Sequence, residues 1–164
     1  MTEPSPSTLK ITIISVGSLK KSCIKDSVED YLKRIKNYCG ALRLEVKEEP
    51  YSRKALTQEC LKKEAGRVRK TFKPGDFIVA LDSGGVSNTS GGLAKFIEGF
   101  MAGGGRNISF VVGGPYGLHS SVKEAANLTL SLSKMTLPHE LALLVLTEQI
   151  YRAFTIIKGE PYSH

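Results

Sequence analysis

The sequence predicts a single-domain α/β fold, a mostly parallel sheet flanked by helices, and three observations predict it. Five short apolar runs alternate with segments whose apolar residues recur at helical spacing. The chain's 164 residues fit one domain and leave little room for a second. No internal repeat, low-complexity tract or interdomain linker interrupts the alternation, and strands that alternate with helices pair in parallel.

The elements follow in order. Residues 1–8 are polar, with Glu3, Pro4 and Pro6, and are expected to form a disordered extension ahead of a domain over residues 9–164. They lack the apolar core of a secretory signal and the arginines of a transit peptide. Residues 11–16 read as a buried strand closed by Gly17. Residues 22–38 read as a helix with Val28, Tyr31, Leu32 and Ile35 on one face. Leu42, Leu44 and Val46 alternate with Arg43, Glu45 and Lys47, the pattern of a half-buried strand. Residues 53–70 form a basic helix stopped near Pro74-Gly75. Strands are expected at 77–81, 108–112 and 128–132, and helices at 92–101 and 120–127. A long helix over 138–157 begins with Pro138, where the missing N–H costs nothing.

Composition narrows the function classes. The hydrophobic share of 41% and charged share of 24% are those of an ordinary globular protein. No run of about 18 apolar residues is present, so no membrane span and no membrane partner is expected. Cys23, Cys39 and Cys60 lack metal-ligand spacing, and their odd number speaks against a disulfide framework. Reduced thiols point to a cytoplasmic setting. The net charge of +7 favours a polyanionic partner. Eight basic residues fall between Arg53 and Lys73 against two acids, and six between Lys20 and Lys36 against three. One such run is usually a solvated helix face, but two on one small domain favour nucleic acid.

In open α/β sheets, ligands bind where loops leave the carboxyl ends of strands. Three exits stand out. Leu81-Asp82-Ser83-Gly84-Gly85 ends a strand on a carboxylate in a glycine turn; Gly113-Gly114-Pro115-Tyr116-Gly117 leaves backbone open to a ligand; residues 132–139 lead into the last helix. Known phosphate loops do not match, because no G-x-G-x-x-G opens a helix and no G-x-x-x-x-G-K-[ST] occurs. There is no G-x-S-x-G elbow either. His119 and His139 have no second ligand nearby in sequence, so no metal is expected.

These exits also carry a resemblance. Phe110-Val111-Val112-Gly113-Gly114-Pro115-Tyr116-Gly117-Leu118, Leu130-Ser131-Leu132-Ser133-Lys134-Met135-Thr136-Leu137-Pro138-His139, Glu148-Gln149-Ile150-Tyr151-Arg152-Ala153-Phe154 and Gly159-Glu160-Pro161-Tyr162 look like the ribosomal RNA large subunit methyltransferase H family of the SPOUT class. The similarity runs from about Leu9 to the end. It implies a trefoil knot at the carboxyl end, a homodimer with its cofactor sites near the interface, and S-adenosyl-L-methionine as cofactor. The implied reaction is methylation of N3 of a pseudouridine in 23S ribosomal RNA, within the assembled ribosome.

By the same resemblance Leu81, Gly113, Leu132, Ser133, Lys134, Met135, Thr136 and Leu137 form the cofactor pocket, and Arg152, Tyr162 and His164 carry the chemistry. The residue types suit those roles. Leu81, Leu132 and Leu137 offer an apolar slot to an adenine ring, although core packing would also explain the two later leucines. Glu148 and Arg152 are spaced to pair on one helical face, either as a structural ion pair or as an RNA-directed arginine with its carboxylate support. His139, in the first turn, has a cap, a core role or catalysis open to it. Tyr162 could stack on an unstacked base, at the end of a short tail expected to be mobile.

The chain departs from the family at Tyr162-Ser163-His164, where Tyr-His is usual, and at Val86, where Lys is frequent. The rival readings are a non-catalytic ribosome-associated RNA-binding protein that retains the fold, and an NAD-type enzyme. The cofactor block argues against the first, and the missing glycine fingerprint against the second.

Overall fold

The computed structural model describes residues 7–52, 57–104 and 106–162. Ten elements follow one another: β1 (Ser7–Val16), α1 (Ser22–Ile35), β2 (Cys39–Val46), α2 (Thr57–Arg69), β3 (Phe77–Ser87), α3 (Ser90–Ala102), β4 (Ile108–Val112), α4 (Ser120–Ala125), β5 (Leu128–Ser131) and α5 (His139–Lys158). The five strands form one parallel sheet in the order β2-β1-β4-β3-β5. The expected single-domain α/β architecture is therefore present, and all ten elements coincide with the sequence reading except at their ends.

Period-two alternation splits each central strand between two cores. Leu9, Ile11 and Ile13 of β1, Ile108, Phe110 and Val112 of β4, and Val79 of β3 pack with α1, α3 and α5. Ile14, Val16, Ile78, Ala80 and Val111 face the other way, onto Ala65 and Val68 of α2 and Val122 of α4. β4 is buried on both faces over its whole length, as a central parallel strand must be. After the edge strand β5 the chain returns across the sheet as α5, which packs on both α1 and α3.

The differences at element ends have local causes. β1 begins at Ser7, because Ser7 pairs with Cys39 and Leu9 already alternates inward; two residues of the expected extension thus belong to the domain, and residues 1–6 lie outside those described. α1 stops at Ile35, its end drawn tight by i→i+3 bonds from Asn37 to Arg34 and from Tyr38 to Ile35. α2 is described from Thr57, which leaves Arg53 and Lys54 outside the described residues. β3 does not end at the glycine turn. Val86 pairs again with Leu130 and Ser87 with Ser131, so the strand passes through Gly84-Gly85 before releasing the chain.

Candidate active site

The three strand exits singled out by the sequence converge. They enclose a cavity of about 500 Å³ at the carboxyl edge of β3, β4 and β5, closed on one side by the first turn of α5. This size lies within the range of small-molecule sites, roughly 300–1,000 Å³. Each loop has its own means of holding shape. In the first, Asp82 accepts from the Gly84 N–H at 2.7 Å and from Lys123 of α4 at 3.0 Å. Those two bonds, Lys123 foremost, hold its carboxyl below the usual carboxylate range.

The second loop turns on Gly117, whose φ of +79° is the left-handed region that favours glycine. A Cβ on Gly113 would lie 2.6 Å from the Gly117 backbone, so the two glycines let the loop fold onto itself. In the third, Met135 donates its N–H to Ser133 Oγ at 3.0 Å, and Ser131 Oγ donates to the Ser133 carbonyl at 3.0 Å.

Of the residues expected around a cofactor, Leu81, Gly113, Leu132, Ser133, Met135, Thr136 and Leu137 line this cavity. Lys134 does not. Its ammonium crosses to the carbonyls of Gly85 (3.1 Å) and Ser83 (3.4 Å), tying the third loop to the first. A compact cation satisfies backbone carbonyls that a glycine turn leaves unpaired, and that demand draws Lys134 away from the cavity. Val86, beside this clasp, is 63% exposed.

His139 also lines the cavity. It is not a cap: Pro138 occupies that position, with no side-chain bond to the helix. Its Nε2 is the one buried side-chain nitrogen or oxygen without a hydrogen-bond partner among the described residues. Such an atom costs about 1–3 kcal/mol.

A second cluster gathers at the far end of α5. Glu148 Oε1 accepts from Arg152 Nε at 3.0 Å, from Arg152 Nη2 at 2.6 Å and from the Tyr162 hydroxyl at 3.2 Å. Gln149 donates to the other oxygen at 2.7 Å and is itself bonded by Ser90 of α3 at 2.6 Å. The Tyr31 hydroxyl lies 3.2 Å from that of Tyr162, and the Tyr151 ring packs against both Tyr31 and Tyr162. Burial above all, then the bond with Tyr31, pushes the Tyr162 phenol above its ordinary value.

The tail is consequently not free through Tyr162, contrary to the mobile extension expected. Gly159, at φ +67°, closes α5 with bonds from its own N–H to Ile156 and from Glu160 to Thr155. Tyr38 then holds Glu160 by a hydrogen bond. His164 lies outside the described residues. The sequence reading passed over Tyr31 and Tyr151 as site members, and their helical spacing with apolar neighbours gave no signal beyond core packing.

The two clusters do not meet within one chain. Arg152 lies about 15 Å along α5 from Ala142, the last residue of that helix on the cavity wall, at about 1.5 Å per residue. The basic runs are separated too. α1 lies on the α3–α5 side of the sheet and α2 on the α4 side. Arg67 of α2 is occupied by Glu49 and the Lys47 carbonyl, whereas Lys62, Lys63, Arg69, Lys70 and Lys73 are exposed. No group of three or more His, Cys, Asp or Glu able to hold a metal occurs among the described residues, and none of their helices is long and apolar enough to cross a membrane.

A parallel sheet with a cavity at its carboxyl edge, walled by the loop into the last helix, defines an α/β protein built around a small-molecule ligand. Comparison gives the family. The model of the family described as "Predicted SPOUT methyltransferase" matches residues 9–164, and the chain belongs to the SPOUT methyltransferases. It is 41% identical over 157 residues to the ribosomal RNA large subunit methyltransferase H of Acetivibrio thermocellus, covering 94% of this chain and 99% of that protein. It is 42% identical over 158 residues to that of Ruminiclostridium cellulolyticum, at the same coverage. Among solved structures, a probable methylase family protein of Haemophilus influenzae superposes with a TM-score of 0.51 at 11% identity, covering 95% of this chain and 70% of that one. A probable methyltransferase of Bordetella pertussis gives 0.50 at 14%, over 90% and 94%. These two likenesses speak to the fold.

Proposed function

We propose that this protein methylates N3 of a pseudouridine in 23S ribosomal RNA of the assembled ribosome, as a homodimer, with S-adenosyl-L-methionine as methyl donor. The observation that carries the reading is the convergence of three strand exits on one cavity. It occurs in a chain 41% identical, over nearly its full length, to a protein named for large-subunit ribosomal RNA methylation.

The lining fits such a donor. Leu81, Leu132 and Leu137 give apolar wall for an adenine ring, and the glycine loop at 113–117 brings backbone groups to its edge. Asp82, Ser133 and Thr136 add polar atoms for ribose and amino-acid groups. The unpartnered Nε2 of His139 is a buried polar atom that a polar ligand would satisfy. The bound donor supplies an electrophilic methyl group, so the protein's task is alignment and management of the N3 proton.

Arg152 and Tyr162 take that task. Arg152, held by two bonds to Glu148, presents a fixed positive charge to the base oxygens as N3 gives up its proton to solvent water. Tyr162 keeps its phenolic proton, because burial pushes its pKa up; it acts by stacking and hydrogen bonding, not as the proton acceptor. His164, one position later than the family's histidine, stays in this reading as a third member.

The distance along α5 supports a dimer. A cavity about 15 Å from Arg152 in its own chain needs that residue from a second copy. Met135 on the cavity wall is 77% exposed, Val86 beside the Lys134 clasp 63% and Leu141 in the first turn of α5 38%, apolar surface that a second copy would cover. The return of α5 across the sheet from the edge strand β5 supports the C-terminal trefoil knot that the family implies. The test is transfer of a labelled methyl group from S-adenosyl-L-methionine to ribosomes lacking the modification, with isolated RNA alongside. Label mapped to a pseudouridine of 23S RNA in ribosomes is the expected result. Cofactor binding with no transfer to ribosomes would overturn it.

A further inference from the structure

We propose that His139 is a cofactor-recognition residue whose Nε2–H donates to the carboxylate of the methyl donor's amino-acid portion. The proposal rests on the reading that the cavity holds S-adenosyl-L-methionine, and deepens it by assigning a residue to one end of that ligand.

The argument starts from how thoroughly the fold satisfies its other buried polar groups. Glu64 accepts from the Glu49 N–H at 2.9 Å and from Tyr51 at 3.1 Å. Glu140, next to His139, accepts from the Lys20 N–H at 2.5 Å. Thr147 donates to the Leu143 carbonyl at 3.0 Å, and Ser131 to that of Ser133. The chain's other described histidine is handled the same way. His119 Nδ1 accepts from the Ser121 N–H at 3.2 Å and caps α4. Against this background His139 alone keeps a buried, unpartnered ring nitrogen among the described residues, and the residue itself is one of those that line the cavity. A side chain kept for packing alone would be apolar there, because an unpaired polar atom costs stability and returns nothing.

The identity of the partner follows from what surrounds the ring. His139 is the first residue of the twenty-residue helix α5, and Pro138, His139 and Ala142 form that wall of the cavity. Pro138 has no N–H, and the first N–H groups of α5 have no side-chain cap. The uncapped first N–H groups give this end of α5 hydrogen-bond donors and a positive potential. The group of the donor that matches donors and positive potential is its carboxylate, the one anionic group it has. The apolar wall of Leu81, Leu132 and Leu137 is left to the adenine.

The test compares two ligands on the purified full-length protein, by calorimetry in the absence of RNA. S-adenosylhomocysteine carries the carboxylate; methylthioadenosine keeps the adenosine and sulfur but lacks the amino-acid portion. His139→Leu is expected to weaken S-adenosylhomocysteine about tenfold and to leave methylthioadenosine within about twofold, as the loss of one charge-assisted bond predicts. The ligand-free variant is expected to melt about 2–4 °C higher, since an unpaired buried polar atom is removed. His139→Gln, which keeps an N–H near the Nε2 position, is expected to recover most of the lost affinity.

Equal loss for both ligands, unchanged affinity for both, or a lower melting temperature in ligand-free His139→Leu would overturn the proposal. Failure of the wild-type protein to bind S-adenosylhomocysteine would instead overturn the cofactor reading, and this proposal with it.

Discussion

The guanidinium carbon of Arg152 lies 4.8 Å from the centroid of the Tyr162 ring, and both side chains bond the same oxygen, Oε1 of Glu148. Cation, ring and carboxylate thus form one unit in which moving any member moves the others. Glu148→Gln keeps the shape and removes the charge that orients Arg152. Methyl transfer is expected to fall about 10- to 100-fold, with cofactor affinity unchanged. The pair is 24% and 19% exposed, so leaving Arg152 without its charged partner should cost about 1–3 kcal/mol. Single-turnover transfer, cofactor titration and a urea melt on the same preparation read all three.

The separation of Arg152 from the cavity makes a mixing experiment decisive. Arg152→Ala and a cavity variant, Leu132→Arg, should each be inactive as pure dimers. Co-expressed and assembled at random, about half the dimers would be mixed, each with one complete site. Recovery of about a quarter of wild-type activity is expected, and a mixture as dead as its parents would mean each site is built within one chain.

Two glycines are fixed by backbone contact. A Cβ on Gly85 would lie 2.6 Å from the Thr129 carbonyl oxygen, and one on Gly113 2.6 Å from the Gly117 backbone. Neither obstacle can rotate away. Gly85→Ala and Gly113→Ala are each expected to cost about 1–3 kcal/mol, read as a lower urea midpoint. Gly66→Ala, inside α2 where nothing lies within 4 Å of the added carbon, is the contrasting control and should gain about 0.5–1 kcal/mol from helix propensity.

Stability should decline at alkaline pH. Burial is the first cause that raises the phenols of Tyr38, Tyr51 and Tyr162 above their ordinary value. Below about pH 10, the unfolded phenol value, folded and unfolded chains hold these protons alike. Above it the unfolded chain releases them first, so the stabilisation is lost as pH climbs toward the folded values. Asp82 has the opposite sign: its carboxyl is lowered, chiefly by Lys123. Its contribution is present above about pH 4 and lost as pH falls through the folded value. Urea midpoints measured from pH 3 to 11 should show both edges, and Asp82→Asn should blunt the acid one.

Element type and order were legible because this sheet is buried on both faces. Residues 108–112 are apolar except at Ser109, and β4 spans those same residues. Ends were less legible, for they depend on partners that local pattern does not name. Ser87 is strand because Ser131 lies beside it, and Ser7 because Cys39 does. The cavity was legible as three loops, since glycine and a terminal carboxylate mark strand exits in one dimension. The Lys134 clasp was not legible, because a residue inside such a loop carries no sign that its side chain points to a neighbouring loop. The gap between the cavity and Arg152 could not be seen at all, as it depends on which end of a straight helix meets the sheet edge.

The strand order has a cost during synthesis. Ile11 of β1 waits for Ile108 of β4 to be made before that side of the strand can pair. At about 5–20 residues per second that delay is roughly 5–20 s. Until then the β4-facing edges of β1 and, once made, β3 have no strand to pair with, because β4 joins β1 to β3. Parallel pairings between such distant residues form slowly even in a finished chain. The nascent chain thus leaves strand edges unpaired for longer than a helical bundle of the same length would, and its yield should respond to translation rate and temperature before its activity does.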